Sequence, residues 1–168
     1  MRKLILSAFM LMGLAFNANA QDISKHAIGL RLGSNDGFGG EISYQHGLSG
    51  NNRLEFDFGW RDNNNFDAIK LAGLYQWVWN IEGGFNWYAG VGGGFGNWSY
   101  HYDHPKNSND WKEDHNEFAI FVAGDIGIEY NFDFPLQLSL DFRPEIYIND
   151  GLDDHFGPDV ALGIRYRW

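Results

Sequence analysis

Ser99, His101 and Asp103 stand at alternate positions in the 168-residue chain. A serine hydroxyl, an imidazole base and an orienting carboxylate are the parts of an acyl-transfer or ester-hydrolysis site. On an extended backbone Ser99 and His101 would share one face. A second set, His101, His104, His115 and His155 with Asp103, Asp110, Asp150, Asp153 and Asp154, offers nitrogen and oxygen ligands to a divalent cation. Its spacing matches neither a zinc motif nor an EF-hand, because "DGLDD" at 150–154 lacks alternating oxygen ligands and a distal glutamate. A solvated acidic loop is the default reading. The run Gly90, Gly92, Gly93, Gly94 and Gly96 is no phosphate loop, since no helix follows it. These glycines are expected to make room for arginines from facing strands or to place a bulge. No catalytic, cofactor-binding or metal residue is therefore assigned, and no cofactor is expected.

The elements that would position these residues are strands. Period-two alternation of apolar and polar residues recurs over 26–34, 38–46, 53–61, 67–78, 85–100, 117–130, 136–146 and 158–168. Turn-forming stretches such as "SNDG", "HGLSGNN", "RDNNN" and "NIEGG" separate them. The first, third, fifth and seventh connections hold 3, 5, 16 and 11 residues, and the second, fourth and sixth hold 6, 6 and 5. Both long loops thus fall at one end, with His26 and His46 at the other. The connections at the long-loop end carry nine acidic and two basic side chains.

Composition narrows the class. Met1-Arg2-Lys3, the apolar run that follows, and Ala18-Asn19-Ala20 read as a secretory signal peptide over 1–20, leaving 21–168 as one domain. Removing Arg2 and Lys3 from the 12 basic residues leaves 10 against 22 acidic, a net charge of −12. Such a chain does not suit nucleic acid. With no cysteine there is no disulfide or thiolate chemistry. The mature chain contains no 18-residue apolar run and hence no transmembrane helix.

One face of every strand is apolar, for example Leu54, Phe56, Phe58 and Trp60, or Leu136, Leu138, Leu140 and Phe142. The other face carries Arg31, Arg53, Arg61, Lys70, Arg143, Arg165 and Arg167 against Glu41, Glu55, Asp57, Asp125, Glu129, Asp141 and Glu145, with Glu117 and Asp159 near the rims. Charges of both signs that nearly cancel suit an enclosed space where they pair. A water-soluble sandwich or lipocalin-like barrel would reverse the faces. Against that, large aromatics gather near the strand ends: Trp77, Trp79, Trp87, Tyr130, Phe132, Tyr166 and Trp168 at one end, Trp60, Phe66, Trp98 and Tyr147 at the other. Bilayer interfaces select such girdles.

The chain finishes on "GIRYRW", with Val160, Leu162, Ile164, Tyr166 and Trp168 alternating on the apolar face. This segment resembles the carboxyl-terminal signal of outer-membrane barrels, which is read by the barrel assembly machinery. Together with "YQWVWNIEGGFNWYAGVGGGFG" and the strand rhythm, it makes the chain similar to the small eight-stranded outer-membrane β-barrels of OmpA/OmpX type. The resemblance implies an all-β, eight-stranded antiparallel up-and-down transmembrane barrel in the bacterial outer membrane, in contact with lipopolysaccharide and monomeric. The expected role is structural or surface-interactive, with an extracellular partner for the acidic loops. Two alternatives are a lipid A-modifying barrel enzyme and a narrow ion-conducting pore. The Ser-x-His order at Ser99 and His101 is the reverse of the His-x-Ser of the lipid A deacylase barrels.

Overall fold

The computed structural model describes residues 23–33, 39–63, 66–100, 115–148 and 156–168. The segment 1–20, read above as a signal peptide, lies outside them. Eight strands form a closed antiparallel barrel in chain order: β1 (His26–Gly33), β2 (Glu41–Ser49), β3 (Asn52–Asn63), β4 (Phe66–Glu82), β5 (Phe85–Tyr100), β6 (His115–Asn131), β7 (Leu136–Tyr147) and β8 (Phe156–Arg167). Closure comes from β1 pairing with β8, where Leu30 faces Ile164 and Leu32 faces Leu162.

The strands run further toward the chain-terminal end than the turn chemistry suggests. Ser49 pairs with Asn52 and Glu82 with Phe85, so the connections shrink to Gly50-Asn51 and Gly83-Gly84. Gly50 and Gly83 have φ of 61° and 54°, a left-handed backbone that a β-carbon disfavours, which lets the chain reverse in two residues. Each of these hairpins carries a register irregularity just before the turn, between Gly47 and Ser49 and between Asn80 and Glu82. Strand β2 accordingly begins at Glu41, not 38, and extends past His46.

Burial is the reverse of a water-soluble protein's. Leu30, Leu32, Phe56, Ile126, Leu140, Leu162 and Ile164 are all exposed, whereas Arg31, Arg53, Lys70, Arg143 and Arg165 are among the most buried side chains. Outward Leu162 is 61% exposed and inward Arg143 0%. Strand parity produces this, since a closed sheet has one inside and one outside and successive side chains alternate between them. The exposed apolar belt requires hydrocarbon around it, and closure leaves no sheet edge with unpaired backbone groups in that medium.

The aromatics divide differently from expectation. Those at the turn end line the outer rim: the Trp79 and Trp87 rings stack at 4.3 Å, Tyr75 meets Trp77 edge-on at 5.0 Å, and Trp168 is 56% exposed. At the loop end Trp60 is exposed, but Trp98 and Tyr147 are each only 4% exposed. They project inward, so they do not belong to an outer girdle. Each sits on the inward parity of its strand, and inside the barrel they form an apolar cluster with Ala68, Ala72, Leu74, Ala119, Phe121 and Ala123.

This cluster also explains the glycines of β5. A β-carbon at Gly96 would strike the Trp98 ring, and one at Gly94 would come within 2.6 Å of the Phe121 ring and closer still to the Leu71 carbonyl oxygen. At Gly90 the Gln76 side chain would be met at 2.8 Å. At Gly90, Gly94 and Gly96 the room is thus taken by an amide and aromatic rings, and not by arginines as expected, while at Gly92 and Gly93 a β-carbon would meet the Gly73 and Phe121 carbonyl oxygens of the neighbouring strands. Gly163 on β8 is the glycine that accommodates a guanidinium, that of Arg165.

The lumen network as candidate functional site

The barrel interior gathers five buried cations and eight buried carboxylates among the described residues. Arg31 on β1 ties three strands together. Its Nη1 donates to Glu41 Oε2 at 3.0 Å and to Asp159 Oδ2 at 2.6 Å, while Nε donates to Asp141 Oδ1 at 3.0 Å. Its Nη2 also donates to Asp141. Arg143 on β7 reaches across to Asp57 Oδ2 at 2.8 Å and to Glu41 Oε1 and Oε2 at 2.9 Å. Arg143 Nε lies 3.0 Å from Glu145 Oε1 without the alignment of a hydrogen bond. Lys70 on β4 donates to both Glu145 oxygens, at 2.8 and 2.7 Å, and its ammonium stands 5.1 Å from the Phe121 ring centre. The Tyr147 hydroxyl donates to Glu145 Oε2 at 3.1 Å, so the apolar cluster and the ionic network share a boundary.

Toward the turn end a second group forms around Arg165 and Arg53. Arg165 donates to Ser43 Oγ at 2.9 Å, Ser139 Oγ at 2.8 Å and Glu55 Oε1 at 2.9 Å, and so links β8 to β2, β7 and β3. Arg53 donates to Gln76 Oε1 and to Glu129 Oε2, both at 2.6 Å, and its guanidinium lies 4.7 Å from the Tyr88 ring centre. Asn86 supplies Glu129 with a further donor at 3.1 Å. Below this group is a cavity of about 10 Å³ lined by Ser24, Gln45, Arg53, Asn86, Glu129 and Gln137. That is room for about one water.

Planar guanidinium forks that bind acceptors on two or more other strands are rigid crosslinks, because an arginine presents five donors in a fixed plane. Their chemistry is cohesion across the lumen: no nucleophile with an adjacent free base stands among the groups described. Asp125 departs from the pairing. It accepts a hydrogen bond from Gln76 but meets no cation within ion-pair distance among the described residues. Replacing it by asparagine keeps an acceptor for Gln76 and removes a buried charge. Asp125→Asn is therefore expected to leave stability unchanged or raise it by about 1 kcal/mol, measured by denaturant titration of the refolded protein. A loss of comparable size would show that the carboxylate is paired after all.

Of the residues with candidate chemistry, Ser99 is half-buried near the loop end of β5, opposite Asp67 on β4 and Asn116 on β6. His101, Asp103, His104, Asp110, Asp150, Asp153, Asp154 and His155 lie outside the described residues, and of His115 only the strand position is described. The side chains of Arg61, Phe66 and Glu117 are likewise outside. Arg167, placed by parity in the lumen, is half-buried at the turn end, donating to Ser24 Oγ at 3.1 Å and the Phe132 carbonyl at 2.7 Å. Alternation showed nothing of the interior aromatic cluster, although Trp98 and Tyr147 had the parity for it.

No protein-family model matches the chain, and no curated protein sequence does. Solved structures do. Neisserial surface protein A aligns with a TM-score of 0.60 at 12% identity, over 85% of this chain and 94% of that one. The N-terminal β-barrel domain of Pseudomonas aeruginosa OprF gives 0.59 at 10% identity, over 84% and 96%. Ail, the attachment invasion locus protein of Yersinia pestis, gives 0.54 at 17% identity, over 86% and 97%. At such identities the likeness is one of architecture, and with the closed eight-strand sheet and the exposed apolar belt it gives one reading. The chain has the fold of the small eight-stranded integral β-barrels of the bacterial outer membrane.

Proposed function

We propose that this chain is a non-catalytic outer-membrane barrel, plugged through its lumen, whose role is to hold acidic loops at the cell surface for an extracellular partner. The observation that carries this reading is the crosslinked interior: among the described residues Arg31, Arg143 and Arg165 each bridge carboxylates or hydroxyls from other strands, side chains that fill the lumen where a solute would have to pass. The turn end then faces the periplasm and the long connections face outward. The carboxyl-terminal Val160, Leu162, Ile164, Tyr166 and Trp168 are the segment offered to the barrel assembly machinery, lipopolysaccharide surrounds the outer half, and the protein works as a monomer.

Charge selects the class of partner. Ail has been crystallised with the heparin analogue sucrose octasulfate, a polyanion. In this chain the connections at the loop end hold nine acidic and two basic residues, which would repel such a ligand and attract a basic protein surface. The refolded barrel in lipid nanodiscs is expected to bind a polylysine-coated surface in a salt-sensitive way and to ignore sucrose octasulfate. Replacing Asp150, Asp153 and Asp154 by asparagine should weaken the binding. Retention of sucrose octasulfate, or stepwise conductance of the barrel in planar bilayers, would refute the reading.

A further inference from the structure

The turn end of the barrel carries a pair of histidines that the lumen network does not use. His26 on β1 and His46 on β2 are directly opposed in the register and project outward, at the level of the aromatic rim. Their Nδ1 atoms are 3.4 Å apart, with ring centres at 5.0 Å. The Tyr44 hydroxyl lies 2.8 Å from the same His26 Nδ1. His26 Nδ1 thus has two neighbours on β2, the Tyr44 hydroxyl and His46 Nδ1.

That separation has a chemical meaning. Two nitrogens bound to zinc at about 2.0–2.1 Å with a tetrahedral angle between them stand about 3.3–3.4 Å apart. The strand register brings His26 and His46 opposite one another, and their rings stand at this spacing. Trp168 fixes His26: the His26 N–H donates to the Trp168 backbone oxygen at 3.1 Å, its carbonyl accepts from the Trp168 N–H at 3.0 Å, and its ring stacks on the Trp168 indole at 5.4 Å. Tertiary support of this kind lowers the ordering cost of a chelate. Arg167, whose charge would oppose a cation, is directed to Ser24 and Phe132 on the other side of its strand.

We infer that His26 and His46 form a two-histidine site for a borderline divalent metal ion such as Zn²⁺ at the periplasmic rim of the barrel. Each ring would bind through Nδ1 in the tautomer that carries its hydrogen on Nε2, with water in the remaining positions. The Tyr44 hydroxyl would give up its contact with His26 and hold one of those waters. Because the ligands must be unprotonated, binding weakens as pH falls. Imidazole nitrogens favour Zn²⁺, Cu²⁺ and Ni²⁺ over Mg²⁺ and Ca²⁺.

The test uses the detergent-extracted, folded barrel with His101, His104, His115 and His155 replaced by glutamine, so that loop imidazoles do not contribute. Calorimetric titration with Zn²⁺ is expected to give one site per chain, weaker at pH 5 than at pH 7.5, and Co²⁺ should give the intense visible absorption of a tetrahedral ion. Loss of an outer-shell partner alone costs about 10–100-fold in metal affinity, so His46→Gln should weaken Zn²⁺ binding at least about tenfold. His26→Gln removes the other ligand from a different strand and should do the same. Heat-modifiable migration verifies that each variant is folded. No Zn²⁺ bound by the loop-substituted barrel, or binding unchanged in both His26→Gln and His46→Gln, overturns the inference.

Discussion

Replacing Arg31 by methionine is expected to lower the unfolding free energy by about 3–5 kcal/mol, the cost typical of leaving a buried ionic partner uncompensated. The reason is its position at the centre of three carboxylates drawn from β2, β7 and β8. Glu41 keeps Arg143 at 2.9 Å, and Asp159 keeps the same guanidinium at 3.7 Å. Asp141 retains no other ion-pair partner among the described residues. Methionine fills much of the volume, so the loss measures charge and hydrogen bonding more than packing. Lysine should recover little, because an ammonium cannot span Glu41, Asp141 and Asp159 as a planar fork does. Adding Asp141→Leu to Arg31→Met removes the stranded carboxylate and should restore part of the loss, a coupling expected of groups that share partners. The measurement is denaturant unfolding in lipid or detergent, read by the folded and unfolded bands in unheated gels. An Arg31→Met barrel within about 1 kcal/mol of the parent would show that the network contributes little cohesion.

How much of this was legible beforehand follows from the physics of strands. Parity placed Arg31, Arg53, Arg143 and Arg165 on one face and Leu30, Leu140 and Leu162 on the other, because alternation in an extended chain leaves no freedom. The two-faced pattern could not by itself say which face was inside, and the aromatic ends decided it. Trp98 and Tyr147 were misread where position along the strand was weighed above parity: both lie near a rim, yet both alternate with inward residues. The partners of each arginine were not legible. Arg31 and Asp141 are 110 positions apart, and their meeting depends on barrel closure and on long side-chain rotamers that no local pattern encodes. The opposition of His26 and His46 was implicit in the symmetry of 26–34 and 38–46 about position 36. The approach of their Nδ1 atoms was not, since ring orientation is set by Tyr44 and Trp168.

Leu162→Arg is expected to destabilise the barrel by about 2–4 kcal/mol in a bilayer, the range found for a lipid-facing arginine near the membrane midplane. Leu162 is the choice because its register neighbours Leu32 and Leu140 are also exposed, which puts it in the centre of the apolar belt on three adjacent strands. In water the same change at a 61% exposed site would fall within about 0.5 kcal/mol of neutral, so the sign and size of the effect report the solvent around β8 directly. Depth provides the internal control. Tyr166→Arg, four residues along the same face and near the turn-end rim, should cost only about 0–1 kcal/mol, because the guanidinium reaches the interface. A steep fall from position 162 to position 166, measured by reversible unfolding in vesicles, is what a membrane-spanning strand requires. Equal and small costs at both positions would mean that the apolar belt meets something other than lipid, and the reading of the charged face as a sealed lumen would lose its basis.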